Sequence, residues 1–112
     1  MEYWHNPRCS KSRQGLALLE ENGVALTVRR YLDDPPSLSE LKAVHAALGL
    51  PVLAMARSND PLFAELGLTK DSDDDALLAA MEAHPKLIER PVLIAGDRAV
   101  IGRPTEKLLT LT

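Results

Sequence analysis

Short apolar runs separated by polar breakers organise this chain. Glu2-Tyr3-Trp4-His5 is β-prone and meets the turn signal Asn6-Pro7. Ser10 is a good N-cap, and the stretch behind it sets Leu16 and Leu19 on one helical face. Asn22-Gly23 closes that helix, with glycine in the left-handed position past its end. Val24 to Leu32 reads as a second strand, broken by Asp33-Asp34-Pro35-Pro36. Ser37-Leu38-Ser39-Glu40 is a capping box for a helix that carries Leu41, Val44 and Leu48 and ends at Gly49. Asp60-Pro61 opens a short helix that Gly67 stops. A further helix starts near Asp73, carries Leu77, Leu78 and Met81, and reaches His84-Pro85. Pro91 to Ala95, the turn Gly96-Asp97 and Arg98 to Ile101 form a hairpin, and Arg103-Pro104-Thr105-Glu106 starts a final helix.

The order is thus β-α-β, a helical block, then β-β-α. A helix between the first two strands makes them parallel, joined by a right-handed crossover, whereas the late hairpin is antiparallel. These features predict an α/β fold, a mixed sheet with flanking helices, in the thioredoxin-like arrangement with a helical insertion. A chain of 112 residues, 46% hydrophobic and 26% charged, suits one domain spanning 1–112. At that length it buries roughly 65% of its unfolded surface and needs no covalent staple. The composition excludes a disordered chain. No apolar run approaches about 18 residues, so no spanning helix and no membrane association are expected. The net charge of −3 lacks the basic footprint of a nucleic-acid binder. The run Asp71-Ser72-Asp73-Asp74-Asp75 reads as the acidic first turn of a helix, where the helix dipole favours negative charge.

The single cysteine, Cys9, changes the picture. One thiol excludes an internal disulfide and the usual multi-cysteine zinc sites, and no metal is expected. A free thiol beside an N-terminus without signal-peptide character suits a reducing cytoplasm. Cys9 lies between the first strand and the first helix, where free N–H groups and the dipole stabilise a thiolate. Arg8, Lys11 and Arg13 add positive charge, Ser12 is placed to donate a hydrogen bond to sulfur, and His5 to supply an imidazolium. A buried structural cysteine is the competing reading, but the polar turn from Asn6 to Arg13 does not suit apolar burial. Cys9-Ser10-Lys11-Ser12 is C-x-x-S, so the chain cannot cycle a disulfide of its own. Cys9 to Arg13 is too short for the C-x₅-R loop of cysteine phosphatases. A Cys-His hydrolase lacks an identifiable oxyanion hole or orienting partner, and His45 and His84 read as ordinary helix residues. Arg29 reads as a surface arginine. Arg57, Arg90 and Arg103 each stand at an element boundary, the last two directly before proline, and planar guanidinium groups grip tetrahedral oxyanions by paired hydrogen bonds. In a thioredoxin-like fold the proline entering the third strand faces the reactive thiol and is commonly cis; Pro91 is the candidate.

Together these motifs resemble the glutaredoxin-dependent arsenate reductase family, and within it the short, housekeeping-like branch. The resemblance covers nearly the whole chain. It rests on His5-Asn6-Pro7-Arg8-Cys9-Ser10-Lys11-Ser12-Arg13, Tyr31-Leu32-Asp33-Asp34-Pro35-Pro36, Leu66-Gly67-Leu68, His84-Pro85, Glu89-Arg90-Pro91-Val92 and Gly102-Arg103-Pro104-Thr105-Glu106, in that order. By this resemblance Cys9 is the nucleophile, Arg57, Arg90 and Arg103 hold the oxyanion, and His5 and Ser12 support the thiolate. The resemblance implies attack of the thiolate on arsenate with loss of water. Glutathione, as co-substrate, then attacks the arsenic–sulfur adduct, and a glutaredoxin partner resolves the product so that arsenite leaves. Two other readings are a glutathione-linked thiol oxidoreductase with a different substrate and a non-catalytic thioredoxin-fold regulator. No bound cofactor is expected, and no Gly-rich dinucleotide fingerprint is present.

Overall fold

Alternation along three short strands fixes the layers of the molecule. The computed structural model describes residues 1–112. Strands β1 (Glu2–Trp4), β2 (Thr27–Arg29), β3 (Val92–Ala95) and β4 (Arg98–Ile101) form one sheet in the order β2-β1-β3-β4. β1 pairs with β2 in parallel and with β3 antiparallel, and β3 pairs with β4 antiparallel. The register sets Tyr3 opposite Leu93 and Trp4 opposite Val92. Successive side chains leave opposite faces of a strand, so the two rows divide the core. Tyr3 and Leu93 join Leu19 and Leu108 on one face, under α1 (Ser10–Glu21) and the C-terminal 3₁₀ segment Thr105–Leu111. Trp4, Val92 and Ile101 face the larger cluster, which also holds Tyr31, Leu41, Val44, Phe63, Leu77 and Met81. That cluster is covered by the insertion between β2 and β3, which comprises α2 (Leu38–Leu48), α3 (Pro61–Glu65), α4 (Asp74–Ala83) and the 3₁₀ turns Val52–Met55 and Pro85–Leu87. The mixed sheet, the flanking helices and the helical insertion are those read from the sequence.

Several boundaries differ from expectation, each for a physical reason. The second strand is limited to Thr27–Arg29, because beyond it the carbonyl of Arg30 accepts bonds from both Asp33 and Asp34 N–H and the chain turns. That turn sends Tyr31 into the core at 1% exposure. The N-cap of α1 is Cys9 rather than Ser10: Cys9 has extended backbone angles while its carbonyl already accepts from Arg13 N–H at 3.0 Å. The final helix is 3₁₀ rather than α. There the Thr110 and Thr112 hydroxyls donate to the carbonyls of Lys107 and Leu109 and compete with longer-range backbone bonds. Capping of α2 follows the sequence, with Glu40 N–H bonding Ser37 Oγ and Ser37 N–H bonding Glu40 Oε1. The acidic run likewise supplies the cap Asp73 and first-turn residues Asp74 and Asp75 of α4. Arg29 is no ordinary surface residue. It pairs with Glu40, Glu2 and Asp34 and lies 5.8 Å from the Trp4 ring centre, closing the β2 edge.

Both X-Pro bonds flanking the hairpin, Arg90-Pro91 and Arg103-Pro104, are cis. Pro91 packs against Gly15 of α1 and against Gly102. A Cβ added at Gly15 would stand 2.5 Å from Tyr3 Oη and 2.7 Å from Leu108 Cδ1. Gly15→Ala should therefore destabilise the protein by about 1–3 kcal/mol through overpacking. Urea unfolding that shows no loss would mean that the helix can lift from the sheet without cost.

Candidate active site

The loop carrying Cys9 is pinned by its neighbours. Ser12 is fully buried and bound on every polar group facing the loop: its Oγ lies 2.7 Å from His5 Nδ1 and accepts from Asn6 N–H at 2.9 Å. Tyr3 Oη donates to the Ser12 carbonyl at 2.6 Å. The Ser12 hydroxyl is thus engaged with His5 and Asn6, not with sulfur. It is the backbone N–H groups of Ser12 and Lys11 that face the Cys9 thiol. His5 is also placed differently from expectation. Burial, then the positive charges of Arg30 and Arg13, push its imidazole below the ordinary histidine range, so it stands neutral beside Ser12 rather than as an imidazolium. His5 and Ser12 therefore hold the loop and contribute no cation to it. Burial commits the Tyr3 hydroxyl still further, to about 12.

Cys9 is half-buried and free. Burial pushes its thiol up, but the Ser12 N–H, the Arg90 guanidinium as charge and as hydrogen-bond donor, and the Lys11 N–H more than offset this. The result lies below the ordinary thiol value. The cations that matter are not those adjacent in sequence. Arg13 reaches back to the Pro7 carbonyl at 2.9 Å, while Arg90 arrives from the far end of the chain.

The three separated arginines do converge. Arg57, Arg90 and Arg103 line one polar cavity of about 310 Å³ with Ser58, Asn59 and Asp60. A bridge between Ala56 and Ile88 makes this possible, with Arg57 N–H bonding the Leu87 carbonyl at 2.7 Å and Glu89 N–H the Met55 carbonyl at 2.6 Å. It draws the insertion to the start of β3. Arg103 then locks onto Arg90, its Nε donating to the Arg90 carbonyl at 2.9 Å. Cys9 does not itself line this cavity; Arg90 borders both.

Carboxylates overlooked in the sequence orient the guanidiniums. Glu89 Oε1 lies 3.6 Å from Arg90 Nη1 and 3.4 Å from Arg103 Nε. Asp60 is 3.4 Å from Arg57 and 3.5 Å from Lys86 while capping α3 through Leu62 N–H. These bonds, with Lys86 and Arg57, hold its carboxyl below the usual range. The signals were the adjacency of Glu89 to Arg90 and the i,i+3 spacing of Arg57 and Asp60. Two carboxylates do not saturate three guanidiniums, and Arg90 Nε is buried with no protein partner. A cavity of this charge suits a small tetrahedral oxyanion, which accepts bonds from several planar donors at once.

The sequence matches the profile of the ArsC family over residues 4–111. An arsenate reductase of Neisseria meningitidis is 51% identical over 110 residues, covering 96% of this chain and 94% of the relative. An arsenate reductase of Haemophilus influenzae is 43% identical, covering 96% and 95%. One of Escherichia coli is 38% identical, covering 96% of this chain but 77% of the longer relative. Among solved structures, an arsenate reductase from Vibrio cholerae superposes with a TM-score of 0.94 at 48% identity, covering 100% of this chain and 98% of that one. A putative arsenate reductase from Yersinia pestis gives 0.90 at 42%, covering 97% of each. With this sheet order, this helical insertion and matches spanning nearly its full length, the chain belongs to the ArsC family and has its thioredoxin-like fold.

Proposed function

We propose that this protein reduces arsenate to arsenite, with the Cys9 thiolate as nucleophile and Arg57, Arg90 and Arg103 as the oxyanion clamp. The observation that carries the reading is that Arg90 both faces the Cys9 thiol and lines the three-arginine cavity. One guanidinium then stabilises the nucleophile and the anion it attacks. Attack on arsenate forms a sulfur–arsenic bond and releases one oxygen as water: RS⁻ + H₂AsO₄⁻ + H⁺ gives RS–AsO₃H⁻ + H₂O. Reduction of As(V) to As(III) takes two electrons, and a chain with one cysteine must obtain a second thiol elsewhere. Glutathione supplies it, attacking the adduct, and a glutaredoxin resolves the product as arsenite leaves. Such chemistry belongs in a reducing cytoplasm; no helix here is long and apolar enough to cross a membrane. The test is arsenate-dependent NADPH oxidation coupled through glutathione, glutaredoxin and glutathione reductase. The rate should depend on both arsenate and glutathione. Turnover with thioredoxin and thioredoxin reductase in their place would redirect the reductant assignment while leaving the clamp intact.

A further inference from the structure

Beside the three-arginine cavity lies a second one, of about 420 Å³, walled by Lys11 and Gln14 of α1 and by the stretch from Gly102 to Glu106 that leaves β4. That volume falls within the roughly 300–1,000 Å³ of small-molecule sites. Arg103 lines both cavities. Cys9 caps α1, so at a rise of about 1.5 Å per residue Lys11 and Gln14 stand within about 8 Å of it along the helix axis. The second cavity is thus tied to the nucleophile through α1 and to the oxyanion clamp through Arg103. Its floor is fixed: Gly102 N–H donates to the Pro91 carbonyl at 2.9 Å, and a Cβ added at Gly102 would stand 2.8 Å from both Pro91 Cγ and Leu108 Cγ.

The charges on these walls are unspent. Arg57 and Arg90 have carboxylates of their own in Asp60 and Glu89. Lys11 and Glu106, of opposite sign, line one cavity and form no ion pair with each other or with any other residue. Arg103 meets the protein through Nε alone, at the Arg90 carbonyl and Glu89, which leaves both terminal NH₂ groups free. A simple anion would meet repulsion from Glu106, and a simple cation from Lys11 and Arg103. The complementary ligand is a small zwitterion with separated carboxylates and one ammonium. Glutathione has that form, with a carboxylate at each end and an ammonium beside the glutamyl one. Each end lies about one to two residue lengths, roughly 4–7 Å, from the carbon that bears its thiol group.

We propose that this cavity seats glutathione, its glutamyl carboxylate and ammonium at Arg103 and Glu106 and its glycine carboxylate at Lys11, with the thiol directed toward Cys9. This rests on the Cys9–glutathione chemistry of the reading above and assigns it a binding site. Because Arg103 borders both cavities, the second thiol is held next to the oxyanion already attached at Cys9.

The test contains no arsenic. Cys9 is converted to its mixed disulfide with 2-thiopyridine, a neutral leaving group, and the release of 2-thiopyridone is followed by absorbance: GS⁻ + Cys9–S–S–pyridyl + H⁺ gives Cys9–S–S–G + 2-thiopyridone. Second-order rate constants are measured with glutathione and with 2-mercaptoethanol, which has neither carboxylate nor ammonium. Lys11→Gln and Glu106→Gln should each lower the glutathione rate relative to the 2-mercaptoethanol rate by about three- to tenfold, the scale of a partly exposed charge-assisted contact. Arg8→Gln removes an exposed charge next to Cys9 that lines a different cavity, and should keep that ratio within about twofold of the parent. The sign at Glu106 is decisive. Glutathione has a net negative charge, so if the site were only a positive field, Glu106→Gln would speed its attack. A glutathione rate that rises or stays level in Glu106→Gln overturns the assignment. So does a ratio lowered as much by Arg8→Gln as by Lys11→Gln. The selective losses in a parent that shows no arsenate turnover would support the glutathione site and overturn the arsenate reading alone.

Discussion

Cys9→Ser should abolish arsenate-dependent turnover, a loss on the order of a thousandfold or more, since a serine hydroxyl in this loop has neither the thiolate charge nor its nucleophilicity. The fold should survive. Cys9 is half-buried at the mouth of a polar loop, and the bonds that shape the loop run through Ser12, His5, Asn6 and Tyr3 rather than through sulfur. The stability difference between parent and variant should depend on pH. The folded thiol titrates below its unfolded value, so ionisation contributes stability that is fully present above the ordinary thiol value. That contribution is lost as pH falls through the lowered folded value, where parent and variant should converge. Urea midpoints measured across that interval check it, and a gap that widens toward acid pH would contradict a lowered thiol.

Loss of Arg90 should affect two measurements that loss of Arg57 or Arg103 does not affect together. Each charge-assisted hydrogen bond to a bound oxyanion contributes roughly 1.5–3 kcal/mol, so any of the three Arg→Ala variants should weaken productive arsenate use by about ten- to a hundredfold. Arg90 alone of the three also acts on Cys9, by charge and by hydrogen bond. Arg90→Ala should therefore raise the midpoint of the Cys9 alkylation–pH profile toward the ordinary thiol value, with Arg57→Ala and Arg103→Ala leaving it near the parent's. Arg90→Lys should recover part of the midpoint shift and less of the arsenate loss, because an ammonium keeps the charge but not the planar fork. Arg98, exposed on the edge strand β4, is the suitable control. Arg29 is not, because its pairing with Glu2, Asp34 and Glu40 ties β2 to the head of α2. Equal kinetics for all three site variants and Arg98→Ala would dismiss the clamp.

What was legible along the chain was local. The capping box at Ser37 and Glu40, the proline-led start of α3 at Pro61, the stops at Gly23, Gly49 and Gly67 and the turn at Gly96 are all short-range chemistry, and the structure has each where the residues put it. So was the placement of Cys9 between a strand and a helix, because strand, turn and cap signals lie within nine residues of it. Element order, through the handedness of crossovers, carried the sheet arrangement. The type of the last helix was misread, because the Thr110 and Thr112 hydroxyl bonds that favour a 3₁₀ form are invisible to hydrophobic spacing.

The charge state of the site belongs to tertiary structure. Sequence neighbours suggested Arg8, Lys11, Arg13 and His5 as the cations near sulfur; folding turns Arg13 to the Pro7 carbonyl, neutralises His5 by burial, and brings Arg90 across the sheet instead. The residues alone thus determined that one thiol sits at a helix start and that arginines stand at three element ends. Which of those groups meet was decided by the Ala56–Ile88 bridge and the register of β1 with β2 and β3, which join positions more than eighty residues apart at one end of one sheet. Electrostatic coupling follows distance and burial rather than position in the chain, and both exist only once the sheet has closed.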